Sequence, residues 1–268
     1  MNRTEIQMLE LLKVMKAKYH VSGVKMEFEA EGTRIEEALR LKEVSLRAGL
    51  EMSIKVGGCE AIKDMFESGS IGCDHLVGPM VETPYALKKF IGATRTAFPE
   101  DQRENMEFLI NVETITTVRN LDAMLDIPEA KDLDGIVIGR VDLTGSMGLD
   151  RDSVNGQQVL DIARESAAKA KARGKKVVVG GAVSADSRDF FRAFPAGHLD
   201  RFETRKVVFD CPGAIDNPDE AFLTAVEFEL LWLKNKQQFY GAIHHEDDKR
   251  LAMLEARYRK SIEKVHGK

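Results

Sequence analysis

The chain has 268 residues, with 39 Lys and Arg residues against 44 Asp and Glu residues, and its formal net charge at pH 7 is −5. This modest negative charge, without any block of basic residues, argues against nucleic acid or an acidic membrane surface as the main partner. The three cysteines show neither metal-binding nor redox spacing, which indicates a reduced, cytoplasmic protein.

The amino-terminal segment, residues 1–19, alternates charged and apolar residues at helical spacing, so it predicts a helix rather than a signal peptide. No segment approaches the roughly 20 apolar residues that a membrane span needs. The length suits one α/β barrel of about 250 residues. We therefore expect a single domain over residues 1–268.

Short apolar runs then alternate with amphipathic segments along the chain. Seven strands are predicted, in the order GVKMEFE, EMSIKV, HLVGPM, EFLINVE, GIVIGRVDL, KKVVVGG and RFETRKVVF. A helical pattern follows each of the first six, which is typical of parallel strands joined by crossover helices. We therefore predict a (β/α)8-type TIM barrel of the α/β class, with one strand irregular or missing.

The segment from about residue 217 to 268 leaves this alternation and predicts a C-terminal helical extension. Asn217 and Pro218 are typical of a helix start, and a second helix is predicted from near Glu246. The two apolar faces consist of Phe222, Val226, Leu230 and Leu233 on the first helix and of Leu251, Leu254, Tyr258 and Ile262 on the second. Packing against the barrel or against a neighbouring subunit would bury these faces.

Charged and polar residues of one parity follow several predicted strands. Because successive side chains of a strand point to opposite faces, the apolar set faces the helices and the polar set faces the barrel axis. The residues placed at the axis are Lys25, Glu27, Glu29, Ser53, Lys55, Asn111, Glu113, Arg140, Asp142, Arg201, Glu203 and Arg205. Mutually neutralising ion pairs would explain any one of them. A barrel that needed only stability would instead fill its interior with Val, Ile and Leu.

Two of these carboxylates fall where barrel enzymes carry their chemistry. Glu113 and Asp142 lie at the carboxyl ends of the fourth and fifth predicted strands. A buried carboxylate is costly unless it is paired or bound, and carboxylate oxygens are hard ligands of the kind that Mg²⁺ or Mn²⁺ takes. A divalent metal is therefore a candidate partner for Glu113.

The segment INVET, followed about 25 residues later by GIVIGRVDLTGSMG, resembles the HpcH/HpaI aldolase and citrate lyase β-subunit superfamily. The segments FEAEG, IKVGGCEAIKDMFESG and HLVGPMVETPYALKKFI agree with it in order and spacing, so the resemblance covers roughly Gly23 to Val208. It implies a pyruvate-type TIM barrel in which Glu113 and Asp142 hold Mg²⁺ or Mn²⁺. The implied activity is a metal-dependent C–C lyase or aldolase that acts through the enolate of a small 2-oxo acid.

The resemblance also implies roles for single residues. Lys55 stands where the family usually has an arginine that binds the substrate carboxylate, and lysine keeps the charge but loses the bidentate geometry. Gly78 and Pro79 match small residues whose backbone approaches the substrate. Arg140 and Arg205 are candidates for binding an anionic second substrate.

One departure from the family concerns proton transfer. Gly32 stands where the aldolase branch has a histidine, and the aspartate-rich turn of the citrate lyase branch is matched only in part, through Glu29 and Glu31. Either glutamate is a candidate to move the proton instead.

Two alternatives stay open at this point. Lys55 or Lys25 would support Schiff-base chemistry if one of them were neutral, although the surrounding acids oppose this. A non-catalytic or regulatory relative would keep the barrel and bind a small acid without converting it. Since relatives often pair subunits through carboxyl-terminal helices, we also expect a homo-oligomer.

Overall fold

The computed structural model describes residues 1–266 and contains a closed eight-stranded barrel surrounded by helices. The strands follow one another around the barrel in chain order. They are β1 (Val21–Glu27), β2 (Glu51–Lys55), β3 (His75–Gly78), β4 (Glu107–Val112), β5 (Gly135–Gly139), β6 (Lys176–Gly180), β7 (Arg201–Glu203) and β8 (Val207–Asp210). The predicted α/β barrel is confirmed.

Helices connect most of the strands and cover the outside of the barrel. They are α1 (Arg3–Tyr19), α2 (Ile35–Ala48), α3 (Ile62–Ile71), α4 (Pro84–Ala97), α5 (Glu100–Arg103), α6 (Ile115–Leu125), α7 (Arg140–Ser146), α8 (Gln157–Ala172), α9 (Arg188–Arg192) and α10 (Asp219–His266). Short 3-10 helices occupy Pro128–Asp132, Arg151–Asn155 and Ala185–Ser187. Within residues 1–266, no helix is both long and apolar enough to cross a membrane.

The last strand predicted from the sequence corresponds to two strands in the structure, which brings the total in the barrel to eight. RFETRKVVF forms β7 and β8, which pair antiparallel, and β8 also pairs antiparallel with β1. A tight turn joins them, in which the Thr204 amide donates to the Val207 carbonyl at 2.9 Å. The prediction of a single parallel strand here is wrong, because the turn contains no Gly, Pro or Asn to mark it in the sequence.

Two apolar layers hold the fold together. The larger lies between the barrel and its helices and includes the outward-facing residues Met26, Ile54 and Ile110. A smaller cluster fills the middle of the barrel with Val77, Leu109, Val137 and Val178. This inner cluster comes from β3 to β6, so the polar interior is concentrated on the other strands and at both ends of the barrel.

The C-terminal extension is one continuous helix, α10, rather than the two helices predicted from the sequence. Its first part packs on the barrel through Phe222, Phe228 and Trp232, which are buried. All residues from 241 to 266 are exposed. The predicted break near Glu246 is wrong because HHEDDKR, although strongly polar, contains no proline to interrupt the helix.

Candidate active site

A cavity of about 520 Å³ opens at the carboxyl ends of the barrel strands. Its charged lining residues are Lys25, Glu27, Glu29, Lys55, Glu113, Asp142, Arg151, Glu203, Arg205 and Glu229. Six of these are carboxylates and four are cations, so the lining carries an excess of negative charge. Such a cavity favours a bound cation.

Glu113 lies at the floor of this cavity, directly after β4, and is 1% exposed. Its Oε1 accepts a hydrogen bond from the Met80 amide at 3.0 Å, and its Oε2 accepts one from Asn111 Nδ2 at 2.6 Å. Lys55 Nζ lies 3.6 Å from the same Oε2. Burial nevertheless raises the pKa of Glu113 above the usual range, and Lys55 only partly opposes that shift. The carboxylate is therefore short of positive charge in this structure.

The neighbouring backbone leaves room for the Glu113 side chain and donates a hydrogen bond to it. A Cβ atom at Gly139 would lie 2.9 Å from Glu113 Cβ, so a larger residue on β5 would displace the carboxylate. Met80 adopts a left-handed conformation with φ of 51°, which is uncommon for a residue with a side chain. This conformation accompanies the hydrogen bond from its amide to Glu113. Strained backbone of this kind is often found at functional sites.

Lys55 connects Glu113 to a second carboxylate. Its Nζ lies 2.6 Å from Glu29 Oε2, and the Glu29 side chain is 28% exposed toward the cavity. Burial would lower the pKa of Lys55, but the charges of Glu113 and Glu29 outweigh it and raise that pKa. Lys55 is therefore a protonated cation, which opposes its use as a Schiff-base nucleophile.

A second, largely buried lysine, Lys25, lies on the neighbouring strand β1. Lys25 Nζ lies 2.5 Å from Glu203 Oε1 and 3.0 Å from Glu27 Oε1. Burial alone would lower the pKa of Lys25, but Glu203 and Glu27 outweigh it and raise that pKa. Gly180 on β6 leaves room for Glu203, since a Cβ there would lie 3.1 Å from Glu203 Oε1. Schiff-base chemistry at Lys25 is opposed for the same reason as at Lys55.

Two further cavity residues, Asp142 and Asn111, supply oxygen atoms near Glu113. Asp142 lies in the first turn of α7, exposed at the cavity rim. Asn111 Oδ1 is buried, faces this cavity region and accepts no hydrogen bond. No group of three or more His, Cys, Asp or Glu side chains within residues 1–266 is placed to hold a metal. Two carboxylates with an unpaired amide oxygen nearby still fit Mg²⁺, which usually takes only one or two carboxylates and keeps several waters.

Three predicted substrate-binding residues lie outside the cavity lining. Arg140 is fully buried and donates hydrogen bonds to the carbonyls of Gly180 and Gly181 at 3.1 and 2.8 Å, and to Asn155 at 2.6 Å. The structure therefore corrects its predicted role as an anion-binding residue, because its guanidinium holds the loop after β6. Gly78 and Pro79 do not line the cavity either.

Gly78 has a packing reason to be small. A Cβ atom there would lie 2.7 Å from the ring of Phe90 on α4, on the helix side of the strand. Close helix–strand contact, and not an approach to the cavity, therefore requires the glycine. The next residues, Pro79 and Met80, carry the chain to the rim, where Met80 lines the cavity.

The remaining predicted residues, Glu31 and Arg205, pair with each other at 3.6 Å. Glu31 also pairs with the buried Lys206 and does not line the cavity, so Glu29 is the better-placed candidate for proton transfer. Arg205 lines the cavity, half-exposed, with Glu229 of α10 at 3.9 Å. Glu229 was not singled out in the sequence, because no barrel pattern covers α10.

The amino-terminal end of the barrel holds a separate polar layer. Ser53 Oγ lies 2.9 Å from His75 Nδ1, and Arg201 Nη1 lies 3.0 Å from His75 Nε2. Burial and the charge of Arg201 lower the pKa of His75 to about 4, so the imidazole is neutral. Arg201 also pairs with Glu107. The ion-pair interpretation of the polar interior applies to this end of the barrel.

The family model for HpcH/HpaI aldolase/citrate lyase matches residues 33–194, which is more than half of the chain. The chain belongs to this family. Membership makes it a lyase-type enzyme of the aldolase and citrate lyase kind. The matched range contains Lys55, Glu113 and Asp142, whereas the cavity wall formed by β1, β7 and α10 lies outside it.

Solved structures share the barrel. One is an HpcH/HpaI aldolase from Desulfitobacterium hafniense DCB-2, at 12% identity and a TM-score of 0.56 over 69% of this chain and 77% of that one. Another is the citrate synthase SbnG, at 15% identity and a TM-score of 0.59 over 86% and 90%. A family protein from Burkholderia cenocepacia J2315 has 15% identity and a TM-score of 0.58 over 88% and 90%. The comparison with curated proteins found no match.

Proposed function

We propose that the protein is a divalent-metal-dependent aldolase or lyase that makes or breaks a C–C bond through the enolate of a small 2-oxo acid such as pyruvate. The observation that carries this proposal is the buried Glu113, which is hydrogen-bonded by Met80 and Asn111 yet short of positive charge. Glu113 and Asp142 would hold Mg²⁺ or Mn²⁺. When bound, the metal would supply Lewis acidity to the substrate carboxylate and 2-oxo oxygen.

Lys55 binds and orients the substrate in this proposal. Its protonated amine lies between Glu113 and Glu29, within reach of an acid bound at the cavity floor. A cation at this point attracts the substrate carboxylate and stabilises the negative charge that develops on the 2-oxo oxygen. Gly78 and Pro79 shape the turn before Met80 rather than contact the acid.

Glu29 moves the proton. In cleavage of a 4-hydroxy-2-oxo acid, the hydroxyl group gives up its proton, the bond between C3 and C4 breaks, and an aldehyde leaves. The electron pair stays on the 2-oxo acid as an enolate, which then takes a proton at C3. Glu29 is exposed to the cavity and held by Lys55, so it is placed to accept the first proton and return one.

One observation favours a second candidate function, which is binding of a small acid without converting it. Gly32, with φ of 54° and open space around it, has no side chain to replace the family histidine. A relative that only binds a small acid would tolerate this loss. Such a protein has less need of a buried carboxylate that carries an unfavourable charge, so we favour the enzyme.

The experiment that separates the two is exchange of the pyruvate methyl protons in heavy water with Mg²⁺ or Mn²⁺ present. An aldolase forms the enolate and exchanges these protons without a second substrate. A binding protein shifts the pyruvate resonances without exchange. Absence of metal-dependent exchange at saturating pyruvate would remove the aldolase proposal.

A further inference from the structure

The cavity has two chemically different ends. Because the eight strands follow chain order around a closed barrel, β4 and β5 lie across the axis from β8 and β1. Glu113 and Asp142 occupy the β4–β5 end, where the proposed function places the 2-oxo acid. The other end is built by β1, the β7–β8 turn and the first turns of α10. The second substrate of an aldol reaction would lie there.

Lys25 and Arg205, which line this end, each have carboxylates beside them. Lys25 is held between Glu27 and Glu203 at 3.0 and 2.5 Å. Arg205 lies between Glu31 at 3.6 Å and Glu229 at 3.9 Å. An anion entering this end would meet four carboxylates and three cations, since the buried Lys206 also pairs with Glu31.

Glu229 is the least compensated carboxylate at this end. Its side chain is 29% exposed and its one ion pair, with the half-exposed Arg205, is long. Neighbouring residues Ala225 and Val226 of α10 give the wall a small apolar surface, and Thr204 adds a hydroxyl-bearing residue. Hydroxyl groups of a substrate could donate hydrogen bonds to Glu229 without introducing charge.

We propose that this end accepts an uncharged, hydroxylated aldehyde and excludes anionic aldehydes, and that Glu229 is the residue that sets this specificity. The inference rests on the proposed function. In the synthetic direction, the pyruvate methyl carbon loses a proton and bonds to the aldehyde carbon. The aldehyde oxygen takes up one proton, so the reaction is balanced without a further reactant. The product is a 4-hydroxy-2-oxo acid with an uncharged hydroxylated tail.

The test compares glycolaldehyde with glyoxylate, two aldehydes of two carbons each that differ in charge. The readout is the ratio of their kcat/KM values with pyruvate and Mn²⁺, measured in the wild type and in Glu229→Lys. Comparing the two ratios cancels the intrinsic reactivities of the aldehydes. Reversing the charge should move the ratio toward glyoxylate by about tenfold. Glu229→Gln should move it in the same direction by a smaller factor.

The matched control is Glu227→Lys on the same helix. Glu227 is exposed and does not line the cavity, so the same charge change should leave the ratio within about twofold of the wild type. Equal ratios in the wild type and in Glu229→Lys, or equal shifts in both lysine variants, would overturn the assignment. Methyl-proton exchange without any aldehyde tests the proposed function separately, since it needs no acceptor.

Discussion

At the scale of single residues, the two carboxylates at the carboxyl ends of β4 and β5 carry the sharpest prediction. Glu113→Gln and Asp142→Asn each remove a ligand charge and little volume, so each should abolish activity while leaving the fold intact. Activity at low Mn²⁺ and the far-UV circular dichroism spectrum measure the two outcomes. Glu10→Gln, an exposed change on α1, is the control and should retain full activity. Normal turnover by either site variant at low metal would remove the metal assignment.

Lys55 supports a second prediction at this scale. Lys55→Met should raise the substrate KM and lower kcat together, because one cation serves both the bound acid and the developing enolate. Steady-state kinetics with pyruvate as substrate check this. Borohydride treatment of the wild type with substrate should give no covalent adduct by mass spectrometry. A lysine trapped in this way would favour Schiff-base chemistry.

The raised pKa of Glu113 predicts a pH dependence for cation binding. A carboxylate with a raised pKa takes up its proton at a higher pH than an ordinary glutamate, and the protonated form is a poor ligand. Mn²⁺ affinity should therefore fall with decreasing pH, and the fall should begin at a higher pH than it would for an ordinary glutamate. In Lys55→Met the fall should begin at higher pH, since Lys55 opposes the upward shift. Electron paramagnetic resonance of free Mn²⁺ would measure both curves, and identical curves would contradict the role given to Lys55.

Residue parity predicted the interior side chains well. Lys25, Glu27, Lys55, Asn111 and Glu113 all line the cavity, because a strand fixes the direction of each side chain. The prediction from residue parity is wrong for Arg140. Strand β5 ends at Gly139, and the first turn of α7 directs the Arg140 side chain into the protein. The environment of Glu113 depends on Met80 and Gly139, which lie far from it in sequence, so no local pattern could show it.

At the scale of elements, α10 is tied to the loop that carries Glu29 and Glu31. Lys206, 2% exposed, pairs with Glu31, and its Nζ lies 5.4 Å from the centre of the Trp232 ring on α10. Lys206→Met should lower the free energy of unfolding by about 3 kcal/mol, because it leaves the largely buried Glu31 carboxylate with only its longer pair to the half-exposed Arg205. Urea denaturation measures this loss. The exposed pair of Lys63 with Glu67 gives the control, and Lys63→Met should change stability little.

Element boundaries show where sequence periodicity is informative. The sequence predicts the first six strands because a helical segment follows each one and separates it from the next strand. Neither the β7–β8 turn nor the continuity of α10 could be predicted in this way. Thr204 closes the turn with its own hydroxyl, which accepts from the Val207 amide at 3.1 Å, and α10 continues through a polar segment that has no barrel surface beneath it.

At the scale of the whole molecule, the exposed second half of α10 needs an explanation. Residues 241–266 would extend about 40 Å beyond the packed part of the helix and are exposed throughout. Their apolar residues include Leu251, Leu254, Tyr258 and Ile262, which recur on one face. Isolated helices are marginally stable in water, so such a face needs a partner.

We predict a stable homo-oligomer, at least a dimer, in which this face packs against another copy of the chain. Deleting residues 242–268 should give a monomer with a folded barrel, since Phe222, Phe228 and Trp232 remain in place. The double change Leu251→Ser and Leu254→Ser should weaken assembly, whereas Ala252→Ser with Ala256→Ser, on the other side of the helix, should not. Sedimentation velocity at micromolar concentration distinguishes these outcomes. A monomeric full-length chain would contradict the prediction.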